Sequence, residues 1–251
     1  MQFKLLSLIV LAAATANAQR AVKVDDFTRF QDVSEPRVSP GGEWVLYTVS
    51  ATDVTADKRN SNIWIVKWDG SESRQLTFSA ESESAARWSP DGRYISFLSS
   101  RPGGKASGSQ VWVLDRQGGE AHQLTELKER ISYYEWSPDS KRLVLILREG
   151  EEGGGGRGGR GANAQPPEPT KPIVIDRYEF KRDVAGYLAG NSRSRIFLYD
   201  IASKKAEALT TDTEFDEEGP VWSPDGSKIA FVSNHDANWE RTKNTDRKSV
   251  V

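Results

Sequence analysis

A tight turn of the form Trp-Ser-Pro-Asp-Gly, followed at once by a short apolar run, recurs along this chain and constrains its fold more than any other feature. The copies read "VSPGGEWVLYTVS" from Val38, "WSPDGRYISFLSS" from Trp88, "WSPDSKRLVLILR" from Trp136 and "WSPDGSKIAFVSN" from Trp222. Their serines, Ser39, Ser89, Ser137 and Ser223, stand about fifty residues apart except for one longer gap, and a period of that size marks a propeller or solenoid array. Proline presets φ at the second turn position, the Ser and Asp side chains can bond nearby backbone, and glycine suits the close of the turn. The motif therefore predicts a strand-to-strand turn. The residues after it alternate, with Ile95 and Phe97 on one side and Tyr94 and Ser96 on the other, as a half-buried strand requires.

Each unit supplies two further strand-like runs. "NIWIVKW", "QVWVLDR" and "RIFLYDI" alternate aromatic or branched residues, and "RQLT", "HQLT" and "EALT" close the units. Four antiparallel strands repeated about an axis make a propeller blade, and such rings close with about four to eight blades. The expectation is an all-β chain: an incomplete β-propeller of three four-stranded blades and part of a fourth, at about 36–81, 82–129, 130–215 and 216–245. Residues 19–35 read as a lead-in, in which Asp25 or Asp26 caps a short helix carrying Phe27 and Phe30.

The third unit is too long, and the excess lies between its second and third strands. Residues 150–172 are rich in Gly and Pro and read as a flexible insertion, because such a composition cannot bury apolar surface. "IVIDRYEFKRDVAGYL" follows, interleaving aromatic and charged residues; it reads equally as an extra hairpin or as a ligand-facing segment. At the other end of the chain, residues 1–18 carry Lys4, an apolar run over 5–14 and the small-residue site Ala16-Asn17-Ala18. This is the pattern of a secretory signal peptide, too short in its apolar run to span a bilayer, and it predicts an exported, periplasmic or extracellular protein.

Several chemistries are excluded by composition. With 34 basic and 36 acidic residues the chain offers no overall field for nucleic acid or for an anionic membrane, so neither is expected as a partner. The absence of cysteine rules out disulfides, Cys-zinc sites and a Cys nucleophile. No HExxH, metal-ligand cluster or phosphate loop occurs, so no cofactor and no metal is expected. The nearest approach to a nucleophile elbow, Gly190-Asn191-Ser192-Arg193-Ser194, ends in Ser and precedes a propeller strand. His122 and His235, the two histidines, each read as ordinary strand or loop residues, so no catalytic residue is assigned to this chain.

The run "WSPDG…IAFVS" resembles the WD-like repeat of many bacterial propellers, including TolB-like periplasmic proteins. The combination of "SPGGEWVLYTVS", "SNIWIV", "PIVIDRYEFKRDVAGYL" and "PVWSPDGSKIAFVSNHD" more specifically resembles the N-terminal propeller of prolyl oligopeptidase-family serine peptidases. Within that family it is most similar to the acylaminoacyl-peptidase and dipeptidyl-aminopeptidase-like branch, over roughly residues 25–246. The resemblance implies a propeller that gates entry of short peptides to a C-terminal α/β-hydrolase domain of the same parent chain, which this sequence does not contain. Arg177, Tyr178, Lys181 and Arg182 are then the residues expected to touch peptide or the domain interface. The alternative is a TolB-like, non-catalytic propeller that binds protein partners. A last expectation concerns residues 246–251: "DRKSVV" is too charged for the apolar third strand due there, and it matches the translation of a sequencing adapter.

Overall fold

The computed structural model describes residues 21–106, 108–149, 181–182, 186–187, 193–210, 215–235 and 246–250. The expected signal peptide, the insertion 150–172 and residues Arg177 and Tyr178 lie outside them. The lead-in opens on a short 3-10 helix, Val24–Arg29, whose N-cap is Lys23 rather than an aspartate. Asp26 sits inside the first turn, where its carboxylate accepts the Lys23 N–H at 2.8 Å, so it serves the helix end from within. Phe27 and Phe30 meet edge to face at 5.6 Å and are largely exposed.

Four sheets follow in chain order. The first contains β1 (Asp32–Val38), β2 (Trp44–Asp53), β3 (Lys58–Lys67) and β4 (Ser73–Gln75), and the second β5 (Glu83–Trp88), β6 (Tyr94–Ser99), β7 (Gln110–Asp115) and β8 (His122–Gln123). The third begins with β9 (Ile131–Trp136) and β10 (Arg142–Glu149). A two-stranded hairpin, β11 (Lys181–Arg182) with β12 (Gly186–Tyr187), comes next, and β13 (Arg193–Asp200) and β14 (Lys205–Ala208) complete that sheet. The fourth holds β15 (Glu217–Trp222), β16 (Ile229–Ser233) and β17 (Asp246–Val250). Within each sheet the main strands pair antiparallel in chain order, which is the meander of a propeller blade. The first strands of successive sheets approach one another, β1 against β5 and β9 against β15, so they form the inner edge; the ring is not closed among the described residues.

Two segments take strand structure that the sequence reading did not give them. The first sheet begins at Asp32, inside the segment read as lead-in. The chain end is a strand: β17 pairs along β16 from Ile229↔Val250 to Ser233↔Asp246. A ladder consumes backbone N–H and C=O groups whatever the side chains are, and an open β16 edge would otherwise leave its own unpaired.

The repeated turn explains why the sheets share one shape. The carbonyl of Ser39, Ser89, Ser137 or Ser223 accepts the N–H of Gly42, Gly92, Ser140 or Gly226 at 2.8–2.9 Å, closing each turn. In the second copy the Ser89 hydroxyl donates to Asp91 and its Oγ accepts the Tyr94 N–H at 2.8 Å, while Asp91 Oδ1 accepts the Arg93 N–H at 3.0 Å. Register is thus fixed from the turn outward, with Trp88 opposite Ile95, Trp136 opposite Leu143 and Trp222 opposite Ile229. The core lies between sheets. Leu46, Ile63 and Ile65 of the first pack on Trp88, Ile95 and Phe97 of the second; Leu98 and Val111 pack on Tyr134, Leu143 and Leu145 of the third; Val144 and Ile196 pack on Ile229 and Phe231 of the fourth. Both faces of β10 are therefore covered, and each fully buried aliphatic side chain contributes about 1.5–3 kcal/mol.

Candidate functional site on the link face and the inner wall

In such a meander the Ser-Pro turns leave one face, while the links from second to third strand and from sheet to sheet leave the other. The segment carrying the sequence-predicted site departs from β10 and enters β13 at this link face. Lys181 and Arg182 form β11, paired with Tyr187 and Gly186. Arg177 and Tyr178 fall outside the described residues.

The link face of the second sheet is built around buried polar groups. Glu83 is fully buried and ion-paired with Arg101, whose guanidinium lies over Phe97 at 5.0 Å and Trp112 at 5.1 Å. Gln123 fastens the link after Arg101: its Oε1 accepts the N–H groups of Lys105 (2.6 Å) and Ala106 (3.1 Å), and its Nε2 donates to Ala106 O at 2.8 Å. Gly104 permits this approach, since a Cβ there would lie 2.5 Å from Gln123 Oε1. Gln110 does the same for the link to the third sheet, donating to Leu127 O and Glu129 O and accepting from Leu127 N–H and the Thr125 hydroxyl.

A second cluster, which the sequence reading missed, lies on the inner wall. Arg37, Arg87 and Glu135 each stand two residues before the serine of their turn, hence at one level of β1, β5 and β9. The strands are tied at this level: the Glu35 carboxylate accepts the Ala85 N–H at 2.8 Å, Trp88 Nε1 donates to Arg37 O at 3.0 Å, and the Tyr134 hydroxyl donates to Ala85 O at 2.8 Å. Bulges at Glu35 and Ala85, both at φ 53°, bend β1 and β5 here. Arg37 is exposed, whereas Arg87, Tyr133 and Glu135 are half-buried. Burial pushes the Glu135 carboxyl up, opposed by Arg87, Tyr133 and Arg37, and burial likewise pushes up the Tyr133 phenol, with Glu135 adding to it. Glu135 Oε2 is buried without a hydrogen-bond partner. The readable signal was the repeat itself: "PRVSP", "ARWSP" and "YEWSP" put charge at an equivalent place on three inner strands.

The histidines are far from an imidazole-base arrangement in kind: His122 opens β8 on the surface, and His235 packs on Phe215 at 4.3 Å. Among the described residues, no group of three or more His, Cys, Asp and Glu is placed to hold a metal ion, and no helix is long and apolar enough to cross a membrane.

Successive four-stranded meanders, stapled inner strand to inner strand, define a β-propeller protein. The chain belongs to the PD40 family, the TolB beta propeller domain, whose model matches residues 7–154. It is 30% identical over 216 residues to the uncharacterized peptidase YuxL of Bacillus subtilis, an alignment covering 86% of this chain and 32% of that protein. The acylaminoacyl peptidase of Pyrococcus horikoshii has a similar fold, with a TM-score of 0.56 and 20% identity over 82% of this chain and 28% of that one. The β-propeller domain of the Trilobed protease from Pyrococcus furiosus, described as having an open velcro topology, aligns with a TM-score of 0.52 and 19% identity, over 89% of this chain and 54% of that one. At these identities the structural likeness speaks for the fold. The chain spans about a third of the length of its Bacillus relative.

Proposed function

We propose that this chain is the substrate-gating propeller of an exported serine peptidase of the prolyl oligopeptidase type, acting with an α/β-hydrolase domain of the same parent chain on short peptides. The observation that carries this reading is the 30% identity to a protein named as a peptidase, sustained over 86% of the chain. In this reading the link face meets the hydrolase, and Arg177, Tyr178, Lys181 and Arg182 touch peptide or the domain interface. The propeller admits extended short chains and excludes folded ones, and the acyl-enzyme chemistry belongs to the hydrolase.

The test uses the complete parent protein. It is expected to take up a fluorophosphonate serine probe and to hydrolyse short peptide anilides but not folded proteins; a parent that does neither sinks the reading. Alanine at both Arg177 and Arg182 is expected to change kcat/KM several-fold with little change in thermal midpoint, and unchanged kinetics would remove them from the site. Export is read from the N-terminus of the mature protein, expected at Gln19. A second reading, a non-catalytic propeller that binds protein partners, is favoured by the TolB description of the family. It predicts no probe labelling and no hydrolysis.

A further inference from the structure

The inner-wall cluster is built like a receptor for an anion. Two guanidiniums and two carboxyls share this level, but the Glu35 carboxylate is engaged by the Ala85 N–H at 2.8 Å, which leaves Glu135 as the carboxyl beside Arg37 and Arg87. Arg37 makes no side-chain hydrogen bond or ion pair among the described residues, and the Arg87 guanidinium spends one donor on the neighbouring Ala86 carbonyl at 2.9 Å. The guanidinium fork has five donors and matches a carboxylate in two-point geometry, so the capacity of Arg37 is unused and that of Arg87, which also meets the Tyr133 phenol, is used only in part. Glu135 uses little of it: Arg87, Tyr133 and Arg37 favour its charged form, but it appears in no ion pair among the described residues and its Oε2 is buried and unbonded. At the link face, by contrast, Glu83 and Arg101 are joined in an ion pair. The cluster is also held in place. Glu35, Trp88 and Tyr134 bolt β1, β5 and β9 together around it, so its spacing is set by buried contacts and not by the long side chains themselves.

We propose that Arg37, Arg87, Tyr133 and Glu135, set side by side on three neighbouring inner strands, bind the carboxylate of an acidic peptide, either a free C-terminus or a Glu or Asp side chain. Arg37 and Arg87 pair with the carboxylate, the Tyr133 phenol stands between Arg87 and Glu135, and Glu135 limits how much negative charge the wall accepts. The peptide nature of the ligand rests on the functional reading above; the anion preference rests on the cluster.

The test is direct binding to this chain, measured by calorimetry with acetylated tetra-alanine as free acid, the same peptide as its C-terminal amide, an amidated version carrying one Glu, and inorganic phosphate. At least one carboxylate peptide is expected to bind about tenfold or more tightly than the neutral amide. Preference for the free acid identifies the C-terminus as the source, and preference for the Glu peptide identifies a side chain. Arg37→Gln, at an exposed position, is expected to weaken that binding about tenfold without moving the unfolding midpoint. Glu135→Gln is expected to strengthen it, because a competing carboxylate is gone. Equal binding of acid and amide, no effect of Arg37→Gln, weaker binding by Glu135→Gln, or phosphate binding as tightly as the peptides would each overturn the proposal. Hydrolysis by the parent is not part of the readout. A parent that cleaves nothing leaves this result standing, and a parent that cleaves peptides does not rescue it.

Discussion

The four copies of the repeated turn differ at their closing residue, and that difference is measurable. Gly42, Gly92 and Gly226 close theirs at φ 70–75°, whereas Ser140 adopts φ 58° with a Cβ. A left-handed backbone costs an ordinary residue about 1–2 kcal/mol, and glycine gives back part of the gain through its freer unfolded chain. Ser140→Gly is therefore expected to stabilise the protein by about 0.5–1 kcal/mol in urea unfolding. The aspartates of these turns are acid-sensitive in a defined sense. The Ser223 hydroxyl, helped by the Ser227 N–H and hydroxyl, holds the Asp225 carboxyl down from 3.8 to about 2, and Asp91 and Asp139 are lowered by Ser89 and Ser137. A carboxyl lowered in the folded state stabilises the fold fully above its unfolded value and loses that contribution as pH falls toward its folded one. The loss from Asp225 is thus expected between about pH 4 and pH 2, and Asp225→Asn should flatten the urea midpoint across that window. An unaltered slope would show that the turn carboxylate is not linked to folding.

Between elements, the amide at one level of each third strand meets a polar group that changes its chemistry from sheet to sheet. In the first sheet, Ile63 N–H donates to Oγ1 of Thr77, just beyond β4, at 3.0 Å; in the second, Val111 N–H donates to Oγ1 of Thr125, just beyond β8, at 2.9 Å. In the third, Ile196 N–H donates instead across to the Glu217 carboxylate of the fourth sheet at 2.9 Å, and the Thr210 hydroxyl donates to the same oxygen at 2.6 Å. Glu217 is buried, so removing its acceptors strands an amide: Glu217→Ala is expected to cost about 2–3 kcal/mol and Glu217→Gln less than about 1, both by urea unfolding. The "LT" that ends each unit was legible as a strand, because its apolar residue and spacing repeat. The threonine as a cap for a neighbouring strand was not, since one sequence cannot say which amide a hydroxyl meets. The inner-strand bulges escaped for a related reason. Glu35 and Ala85 have no preference for positive φ, and their conformation is imposed by packing across sheets. The inner-wall cluster was half legible: the repeat fixes the shared level of Arg37, Arg87 and Glu135, but the half-burial of Arg87 and Glu135 beside an exposed Arg37 needs the curvature of the whole array.

For the molecule as a whole, most packing is between successive sheets, so stability is close to a sum of units and nearest-neighbour junctions. The polar links across these junctions mostly run one way along the chain. Trp88 reaches back to Arg37 O, Trp136 and Tyr134 to Ser96, Tyr199 to Leu124 O, and Glu217 to Ile196. In each case the side chain belongs to the later sheet and the group it meets to the earlier one. On ribosome-stalled chains of increasing length, protease resistance is therefore expected to rise in steps, one for each sheet that clears the exit tunnel, and a single late rise would contradict this. A sheet leaving the ribosome meets docking groups already in place, so the order of synthesis is also the order of assembly: growth from the N-terminus is templated.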